Sequence, residues 1–228
     1  MIMPESGPER PGVPPDAVGF VLAGGKSSRM GQDKALVQLA GQSLAERALG
    51  ILRGAGLAVS LAGGSPAIAD LAPVVQDSVS GLGPLGGICA ALASTSARLA
   101  VFMPIDLPLL PAPLIVYLLE HANVTGVGVT LTSIGGFAQT FPAVLDRGVL
   151  AVLESELQAG RRGCFAAFET AAARLGQRVS VIPVETLVQS CQVAHPESLA
   201  AERWFLNVNA PDGLRLANQH LSGPHRVS

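Results

Sequence analysis

Residues 17–34 read AVGFVLAGGKSSRMGQDK, and the fold class follows from this stretch. Residues 17–23 form a short continuous apolar run, which predicts a parallel strand buried on both faces. Glycines at positions 24, 25 and 31 follow it; they permit a tight backbone whose N–H groups can face a phosphate. Since ligands of open α/β sheets bind beyond the carboxyl ends of the strands, we expect this loop to hold a phosphate-bearing ligand.

The same loop concentrates positive charge and hydroxyl donors. The chain has only two lysines, Lys26 and Lys34, and both lie in this loop together with Arg29, Ser27 and Ser28. Fixed cations beside a glycine turn are suited to a triphosphate, although the loop lacks the G-x-x-x-x-G-K-[ST] pattern of a Walker A motif. The alternative is a solvated turn on which two lysines happen to fall together.

Outward from this loop, apolar runs alternate with amphipathic stretches. Strands alternating with helices predict a layered α/β domain with a largely parallel sheet. A capping-box pattern at Ser43 and Glu46 predicts a helix that runs to about Arg53. The further predicted strands are 57–62, 73–76, 99–103, 127–132, 179–184 and 204–208, and the further predicted helices are 86–97, 113–121, 146–159 and 211–221.

Composition excludes several classes of protein. The chain has 228 residues, of which 49% are hydrophobic and 14% charged, with a net charge of -2, so disorder over the whole chain is excluded. Fifteen basic against 17 acidic residues give no global positive field for nucleic acid. Three cysteines without a Cys-x-x-Cys pair predict no disulfide framework, and no apolar stretch resembles a membrane span. We therefore expect a cytoplasmic protein that binds neither nucleic acid nor membrane.

The chain ends differ from the central part in composition. Residues 1–15 are rich in proline and lack the basic-then-apolar pattern of a signal peptide, so they are predicted to be a disordered leader. No linker divides the remainder, which predicts one domain over 16–221 and a short tail over 222–228.

Asp106 follows the predicted strand 99–103 almost directly. A carboxylate at a strand end, facing a phosphate-binding loop, is suited to Mg²⁺, which takes one or two carboxylates together with phosphate oxygens. The alternative is that Asp106 caps the next helix, but the intervening prolines place it far from a normal N-cap position.

A second glycine motif competes with the first. Gly81–Gly86 is a literal G-x-G-x-x-G after a short strand and before a helix, which would indicate an NAD(P)-binding oxidoreductase. Against this interpretation, the motif follows the third strand rather than the first, Pro84 stiffens the turn, and five residues separate the strand from the glycines.

Together these motifs carry a family resemblance. The pattern L-A-G-G-x-S-x-R-M-G-x-D-K at 22–34 resembles the signature of the molybdenum cofactor guanylyltransferases, within the nucleoside-triphosphate transferase superfamily. The resemblance continues, in the same order, through Asp77, GPLGG at 83–87, PIDLPLL at 104–110 and FLNVNAPD at 205–212. It covers residues 17–221.

The resemblance implies a single-domain, Rossmann-like α/β nucleotidyltransferase with a mixed, mainly parallel sheet. The implied reaction transfers GMP from GTP to molybdenum-bearing molybdopterin, with Mg²⁺ as cofactor and with cofactor-handling proteins as further partners. Arg29 and Lys34 are the implied catalytic residues, Asp106 the metal ligand, and Asn209 a further residue near the active centre. The implied nucleotide-binding residues are Leu22, Ala23, Gly24, Gly25, Lys34, Asp77 and Asp106.

The sequence departs from the family pattern at one place. The family often has an asparagine after the second strand, whereas Leu61–Ser65 reads LAGGS. This leaves open a relative that transfers another nucleotide, such as a molybdopterin cytidylyltransferase or a sugar-phosphate nucleotidyltransferase, and, from a different class, a nucleotide-binding regulator without turnover.

Two further groups of residues have open or bland interpretations. Arg161 and Arg162 follow a predicted helix and either contact a second anionic substrate or form a charge pair at the helix end. The four histidines, at 121, 195, 220 and 225, show no metal-ligand spacing and are predicted to be solvated.

Overall fold

The computed structural model describes residues 14, 16–24, 33–76, 81–209 and 211–222. Its main element is a seven-stranded sheet of order β5-β4-β1-β6-β8-β7-β9, in which β8 alone runs antiparallel to its neighbours. The predicted mixed, mainly parallel sheet is confirmed. The strands are β1 (Ala17–Leu22), β2 (Gln38–Leu39), β3 (Gln42–Ser43), β4 (Ala58–Ala62), β5 (Val74–Val75), β6 (Leu99–Pro104), β7 (Val129–Ile134), β8 (Phe137–Asp146) and β9 (Ser180–Pro183), of which β2 and β3 form a separate small hairpin.

Helices cover both faces of the large sheet. One buried cluster includes side chains of α1, α3, α6, α7 and α8, and the other includes those of α2, α4 and α5. Burial on both faces is the arrangement that parallel sheets require. The helices are α1 (Leu44–Gly54), α2 (Pro84–Ala93), α3 (Ala112–Thr125), α4 (Leu150–Gln158), α5 (Cys164–Arg174), α6 (Val184–Gln189), α7 (Ala201–Trp204) and α8 (Pro211–Ser222).

Strand β6 shows how the apolar runs feed both layers. Val101 and Met103 belong to the α1–α3 side, whereas Phe102, between them, belongs to the α2–α5 side. All three are fully buried, because successive side chains of a strand point to opposite faces. The side chains of β6 are therefore packed on both faces of the sheet, and its last residue, Pro104, pairs with Leu22 of β1.

Helix α1 begins as its capping box predicts. The Ser43 hydroxyl accepts from the backbone N–H of Glu46 at 3.2 Å, and the Glu46 carboxylate accepts from the backbone N–H of Ser43 at 2.7 Å. The serine hydrogen bonds also lower the pKa of Glu46. Two of the unpaired donors at the helix start are thereby satisfied.

Several predictions about elements are wrong. Strand β8 and helices α5 and α6 are not among the predicted elements. Strand β8 forms through a two-residue turn at Gly135 and Gly136, and both glycines have positive φ (58° and 79°), as a tight hairpin of this kind requires. The strand predicted at 204–208 is absent: Trp204 is the last residue of helix α7, and no strand follows it up to residue 208. The Trp204 side chain is fully buried.

Other boundaries shift. Helix α2 begins at Pro84, where the missing N–H costs nothing at a first helical position, and ends at Ala93 rather than Ala97. Asp146 caps a 3₁₀ turn, Arg147–Val149, that precedes α4. The predicted leader and tail fall almost entirely outside the described residues and stay predictions. None of the described helices is long and apolar enough to cross a membrane.

Candidate active site

The parallel strands β1, β4 and β6 end at one edge of the sheet, where their loops meet. The backbone N–H of Ala23, after β1, donates to the carbonyl of Ala62, at the end of β4, at 3.2 Å. Beyond it, Gly63 lies so close to Gly24 that a Cβ at residue 63 would stand 3.3 Å from the Gly24 Cα. Gly63 also has a φ of 70°, so glycine serves both the turn and the close approach. Leu22 is buried and Gly24 is exposed, so the backbone of residues 22–24 leads from the core to an open edge.

Three polar side chains converge at this edge. The Nζ of Lys34 lies 3.0 Å from Oδ2 of Asp106, and it also donates to Oδ1 of Asn209. The side chains of Lys34 and Asp106 are only 18% and 20% exposed. The three residues are far apart in sequence, so the fold itself assembles the cluster.

Lys34 is positioned by a capped 3₁₀ turn, Lys34–Leu36. Asp33 caps this turn: its Oδ1 accepts from the backbone N–H of Ala35 at 3.0 Å. The other carboxylate oxygen of Asp33 accepts from the hydroxyl of Ser65, in the loop after β4. Asp33 and Ser65 are not among the predicted site residues; the sequence signal for Asp33 is that an N-cap residue type stands directly before the loop lysine.

Asp106 is positioned by strand β6 and by the C-terminal part of the chain. It follows the strand after one residue, and its backbone carbonyl accepts from the N–H of Val208 at 3.0 Å. The next helix, α3, begins at Ala112 with Pro111 before it, so the alternative that Asp106 caps a helix is wrong. The contact with Val208 also brings the neighbouring Asn209 to the site.

The cluster has the chemistry of a site for a hard cation. Carboxylate and amide oxygens from Asp106 and Asn209 both point at one ammonium group, that of Lys34. Oxygen ligands from one or two side chains suit Mg²⁺, which fills its other positions with water and phosphate oxygens. Within the described ranges, no group of three or more His, Cys, Asp or Glu side chains is placed to hold a metal ion.

The competing glycine motif lies beside this edge. It follows β5, at the margin of the sheet, rather than the central strand after which a dinucleotide fingerprint stands. Gly83 precedes α2 with a φ of 73°, and Nη1 of Arg162 donates to the carbonyl of Gly81 at 3.1 Å. The motif is thus a turn into α2, held from the side by Arg162.

Of the two interpretations of Arg161, contact with a second anionic substrate or a charge pair at the helix end, the structure shows the charge pair. Its Nε and Nη2 lie 2.5 and 2.6 Å from the two oxygens of Glu156, on the last turn of α4. Glu156 is buried, with 6% of its surface exposed. The hydrogen bond from Arg161 lowers the pKa of Glu156. This pair closes a helix end, whereas Arg162 points to the Gly81 turn.

The prediction that the histidines are solvated is wrong for two of them. His121 is half-buried and its Nε2 lies 2.9 Å from the hydroxyl of Ser180. His195 is half-buried as well, with both ring nitrogens in hydrogen bonds. Burial lowers the pKa of each ring. His220 contacts Arg203 near the end of α8, and His225 lies outside the described residues.

The cysteines lie apart from this chemistry. Cys89 and Cys164 are buried, and burial raises the pKa of their thiols to about 12 and about 11. Thiols with such values are inert at neutral pH. All three cysteines, including the exposed Cys191, are free.

Several predicted site residues lie outside the described part of the chain. These are Gly25, Lys26, Arg29 and Asp77, together with Ser27, Ser28 and Gly31 of the loop. Their roles stay predictions. Of the predicted set, the structure brings together Lys34, Asp106 and Asn209, and it places Leu22, Ala23 and Gly24 at the same edge.

Known proteins share this sequence pattern and this fold. The family model of the MobA-like NTP transferase domain matches residues 19–178. A probable molybdenum cofactor guanylyltransferase from Pelotomaculum thermopropionicum is 30% identical over 204 residues, which are 87% of this chain and 90% of that protein. A molybdenum cofactor guanylyltransferase from Xanthomonas euvesicatoria is 47% identical over 107 residues, but the match spans only 46% of this chain and 54% of that relative.

Solved structures share the architecture at low sequence identity. Molybdopterin-guanine dinucleotide biosynthesis protein A from Archaeoglobus fulgidus superposes with a TM-score of 0.72 at 21% identity, covering 91% of this chain and 100% of that one. A 2-C-methyl-D-erythritol 4-phosphate cytidylyltransferase from Thermus thermophilus superposes with a TM-score of 0.63 at 16% identity, covering 90% and 98%. These likenesses show the fold.

Proposed function

The chain belongs to the MobA-like NTP transferase family, and from that premise we propose that it transfers GMP from GTP to molybdenum-bearing molybdopterin. The resemblance read from residues 22–34 is confirmed at the level of the family. In the proposed reaction, an oxygen of the acceptor's phosphate attacks the α-phosphorus of GTP. A new P–O bond forms, the bond between the α-phosphorus and the bridging oxygen breaks, and pyrophosphate leaves.

The observation that carries the proposal is the convergence of Lys34, Asp106 and Asn209 at the carboxyl edge of the parallel strands. Phosphoryl-type transfer asks the protein mainly for positioning and charge neutralisation, not for a covalent nucleophile. A lysine ammonium beside two oxygen ligands, near the exposed Gly24 that follows β1, supplies both. The buried thiols of Cys89 and Cys164 are unsuited to nucleophilic attack, which agrees with this reaction type.

Each residue has a proposed task. Lys34 pairs with the charge of the triphosphate, and Asp33 with Ser65 holds it in place. The backbone of Leu22, Ala23 and Gly24, with Gly25 beyond it, lines the nucleotide. Arg29 adds a second positive charge in the same loop.

Asp106 and Asn209 are the residues that would hold Mg²⁺. When bound, the metal would neutralise charge on the triphosphate oxygens. In the structure, the Lys34 ammonium is hydrogen-bonded to both oxygens, Oδ2 of Asp106 and Oδ1 of Asn209. For these oxygens to bind a metal, the ammonium must turn away from them and toward the triphosphate. The metal requirement is therefore expected to appear together with nucleotide binding.

We propose guanine as the base. Asp77 is an acceptor suited to the N–H donors that guanine presents, and glycine at position 24 lets backbone approach the base edge. The alternative, a cytidylyl transfer, is kept open by the LAGGS stretch at 61–65, which lacks an asparagine. The loss of one side-chain hydrogen bond to the base weakens binding by about 0.5–1.5 kcal/mol. This is too little to reverse the base selectivity if the backbone contacts to the base remain.

Base choice can be measured by calorimetric titration of the protein with the four nucleoside triphosphates and Mg²⁺. We expect GTP to bind more tightly than CTP, ATP or UTP, and Asp77→Ala to narrow that difference. Equal or tighter binding of CTP would remove the guanylyl assignment and retain a nucleotidyltransferase of another specificity.

The reaction itself is tested with GTP labelled at the α-phosphate. The label should pass into a guanine dinucleotide only when the molybdenum-bearing acceptor is present, with one pyrophosphate released for each transfer. Label that stays in GTP under all conditions would favour a nucleotide-binding regulator. We propose a cytoplasmic location on the sequence alone, because three cysteines without a Cys-x-x-Cys pair are typical of a reducing compartment.

A further inference from the structure

A second layer of contacts lies behind the loop that carries Asp106. This loop, Ile105–Pro111, connects β6 to α3, and residues of the C-terminal segment 193–209 contact it. The segment holds the loop at two carbonyls three residues apart: the N–H of Val208 bonds to that of Asp106 at 3.0 Å, and His195 bonds to that of Leu109. The same segment ends at Asn209.

The two bonds of His195 fix the state of its ring. Nε2 lies 3.2 Å from the Leu109 carbonyl, which can only accept, so Nε2 carries the proton. Nδ1 accepts from the backbone N–H of Glu197 at 3.0 Å, so Nδ1 carries none. The ring is therefore neutral, in a single tautomer, and adding a proton to Nδ1 would place two N–H groups against each other.

The ring is also anchored from behind. Its centroid lies 5.9 Å from that of Trp204, which is fully buried and whose Nε1 donates to the carbonyl of Leu199 at 2.9 Å. His195 thus stands between a rigid part of the core and the carbonyl that it holds.

The loop is packed on one side and borders a cavity on the other: Leu107, Leu109 and Leu110 are buried in the core. Residues 108–112 line a cavity of about 260 Å³, together with Arg47 of α1, His195, Glu197 and Leu221. The apolar contacts hold the leucine side chains, whereas the hydrogen bond from His195 fixes the direction of the Leu109 carbonyl on the side of the cavity.

We propose that His195 is a positioning residue for Asp106. By holding the loop, it keeps the Asp106 carboxylate close to the Lys34 ammonium and the Asn209 amide oxygen. This inference rests on the proposed function for its kinetic readout. Groups one step behind a metal ligand commonly determine how well that ligand binds.

The charged groups that face the ring set its pH dependence. Burial is the largest effect on the pKa of His195 and lowers it. The hydrogen bond to the Leu109 carbonyl and the charge of Glu197 raise this pKa, and Arg47 from α1 lowers it. The loop residues 108–112 and Leu221 add no titratable side chain to the cavity. The neutral ring is therefore retained at neutral pH, and the restraint weakens when acid protonates Nδ1.

Two substitutions separate the two bonds. His195→Gln retains a donor that can reach the Leu109 carbonyl, whereas His195→Asn retains an acceptor for the Glu197 N–H and gives up the bond to the loop. Glu197→Ala is the matched control, because it removes a facing carboxylate and leaves the backbone donor in place.

The experiment measures Mn²⁺ binding to each protein–GTP complex by electron paramagnetic resonance, the metal concentration for half-maximal turnover, and the unfolding temperature. We expect His195→Asn to weaken metal binding and raise the required metal concentration by about 5- to 10-fold, with KM for GTP unchanged. His195→Gln should recover most of the loss, and Glu197→Ala should behave as wild type. The restoration by glutamine separates positioning from a general loss of stability.

The inference is overturned if Asn and Gln lower the unfolding temperature alike while metal affinity stays at the wild-type value. If His195→Asn does not fold, the wild-type protein and His195→Gln decide. Because burial holds the pKa of His195 below the ordinary imidazole value, the metal requirement of wild type alone should rise as the pH falls below that ordinary value. Equal pH profiles of the two proteins would overturn the inference. A wild-type protein that binds Mn²⁺ with GTP but releases no pyrophosphate would refute the proposed function and leave the binding test of His195 intact.

Discussion

Lys34 and Asp106 form an ion pair across 72 residues of sequence, whereas Arg161 and Glu156 form one across five. The first pair is a single contact at 3.0 Å whose ammonium is shared with a third residue, Asn209. The second is a two-point contact in which each carboxylate oxygen has its own guanidinium nitrogen.

The difference separates a charge arrangement that can change partners from one that is complete. A lysine ammonium is a compact charge on a flexible stem, so it can leave Asp106 for a triphosphate. An arginine in a planar two-point contact is already satisfied. We therefore expect the Lys34–Asp106 pair at the edge of the sheet to take part in the reaction, and the Arg161–Glu156 pair at the end of α4 to stabilise the fold.

The largest effect is expected at Asp106. Asp106→Asn keeps the shape of the side chain and removes one charged oxygen ligand from a site with few, so metal-dependent turnover should fall by about 1000-fold. Circular dichroism and thermal unfolding should show a folded protein. An unfolded variant that still binds metal would mean that Asp106 supports the fold instead.

The next effect is expected at Lys34. Lys34→Ala should lower kcat/KM by a factor that corresponds to about 2–4 kcal/mol of transition-state stabilisation. The reason is that, in the proposed reaction, the ammonium pairs with negative charge that grows during the transfer. Lys26→Ala, in the same loop, is the control and should do far less. Small and equal effects of the two changes would indicate a solvated turn.

The smallest effect on turnover is expected at Arg161. Arg161→Ala should leave kcat/KM unchanged and lower the unfolding temperature by a few degrees, since Glu156 loses its partner. The bond to Arg161 depresses the pKa of Glu156, so its stabilising contribution is present above the ordinary carboxyl value and disappears as the pH falls through the depressed one.

The sign of that pH dependence gives a second check. Wild type should lose stability relative to Arg161→Ala as the pH is lowered below about 4.5, until the two unfolding temperatures meet. A variant whose deficit stays constant from pH 7 to pH 3 would show that the ion pair does not provide the stability.

Much of this could be predicted from local sequence signals. The buried strand at residues 17–22, the capping box at Ser43 and the strand that ends before Asp106 are each set by neighbouring residues, and all three are confirmed. Lys34 and Asp106 were predicted to share a site because both follow strands that end at the same edge.

The rest depends on contacts between distant segments. The antiparallel strand β8 has no period that separates it from a loop, since its first half is half-exposed and only its second half is buried. His195 lies in a polar stretch of sequence, and only the fold brings it to Leu109, 86 residues away. Arg161 and Arg162 are adjacent in sequence but bond to different elements, and nothing in the pair itself tells which does which.

The most direct measurement is pyrophosphate release from GTP in the presence of Mg²⁺ and molybdenum-bearing molybdopterin, compared for wild type, Lys34→Ala and Arg161→Ala under the same conditions. We expect acceptor-dependent pyrophosphate release by wild type, near-wild-type release by Arg161→Ala and a strong loss in Lys34→Ala. The proposed function of this site is contradicted if wild type releases no pyrophosphate from GTP, or if Arg161→Ala is inactive while Lys34→Ala retains its activity.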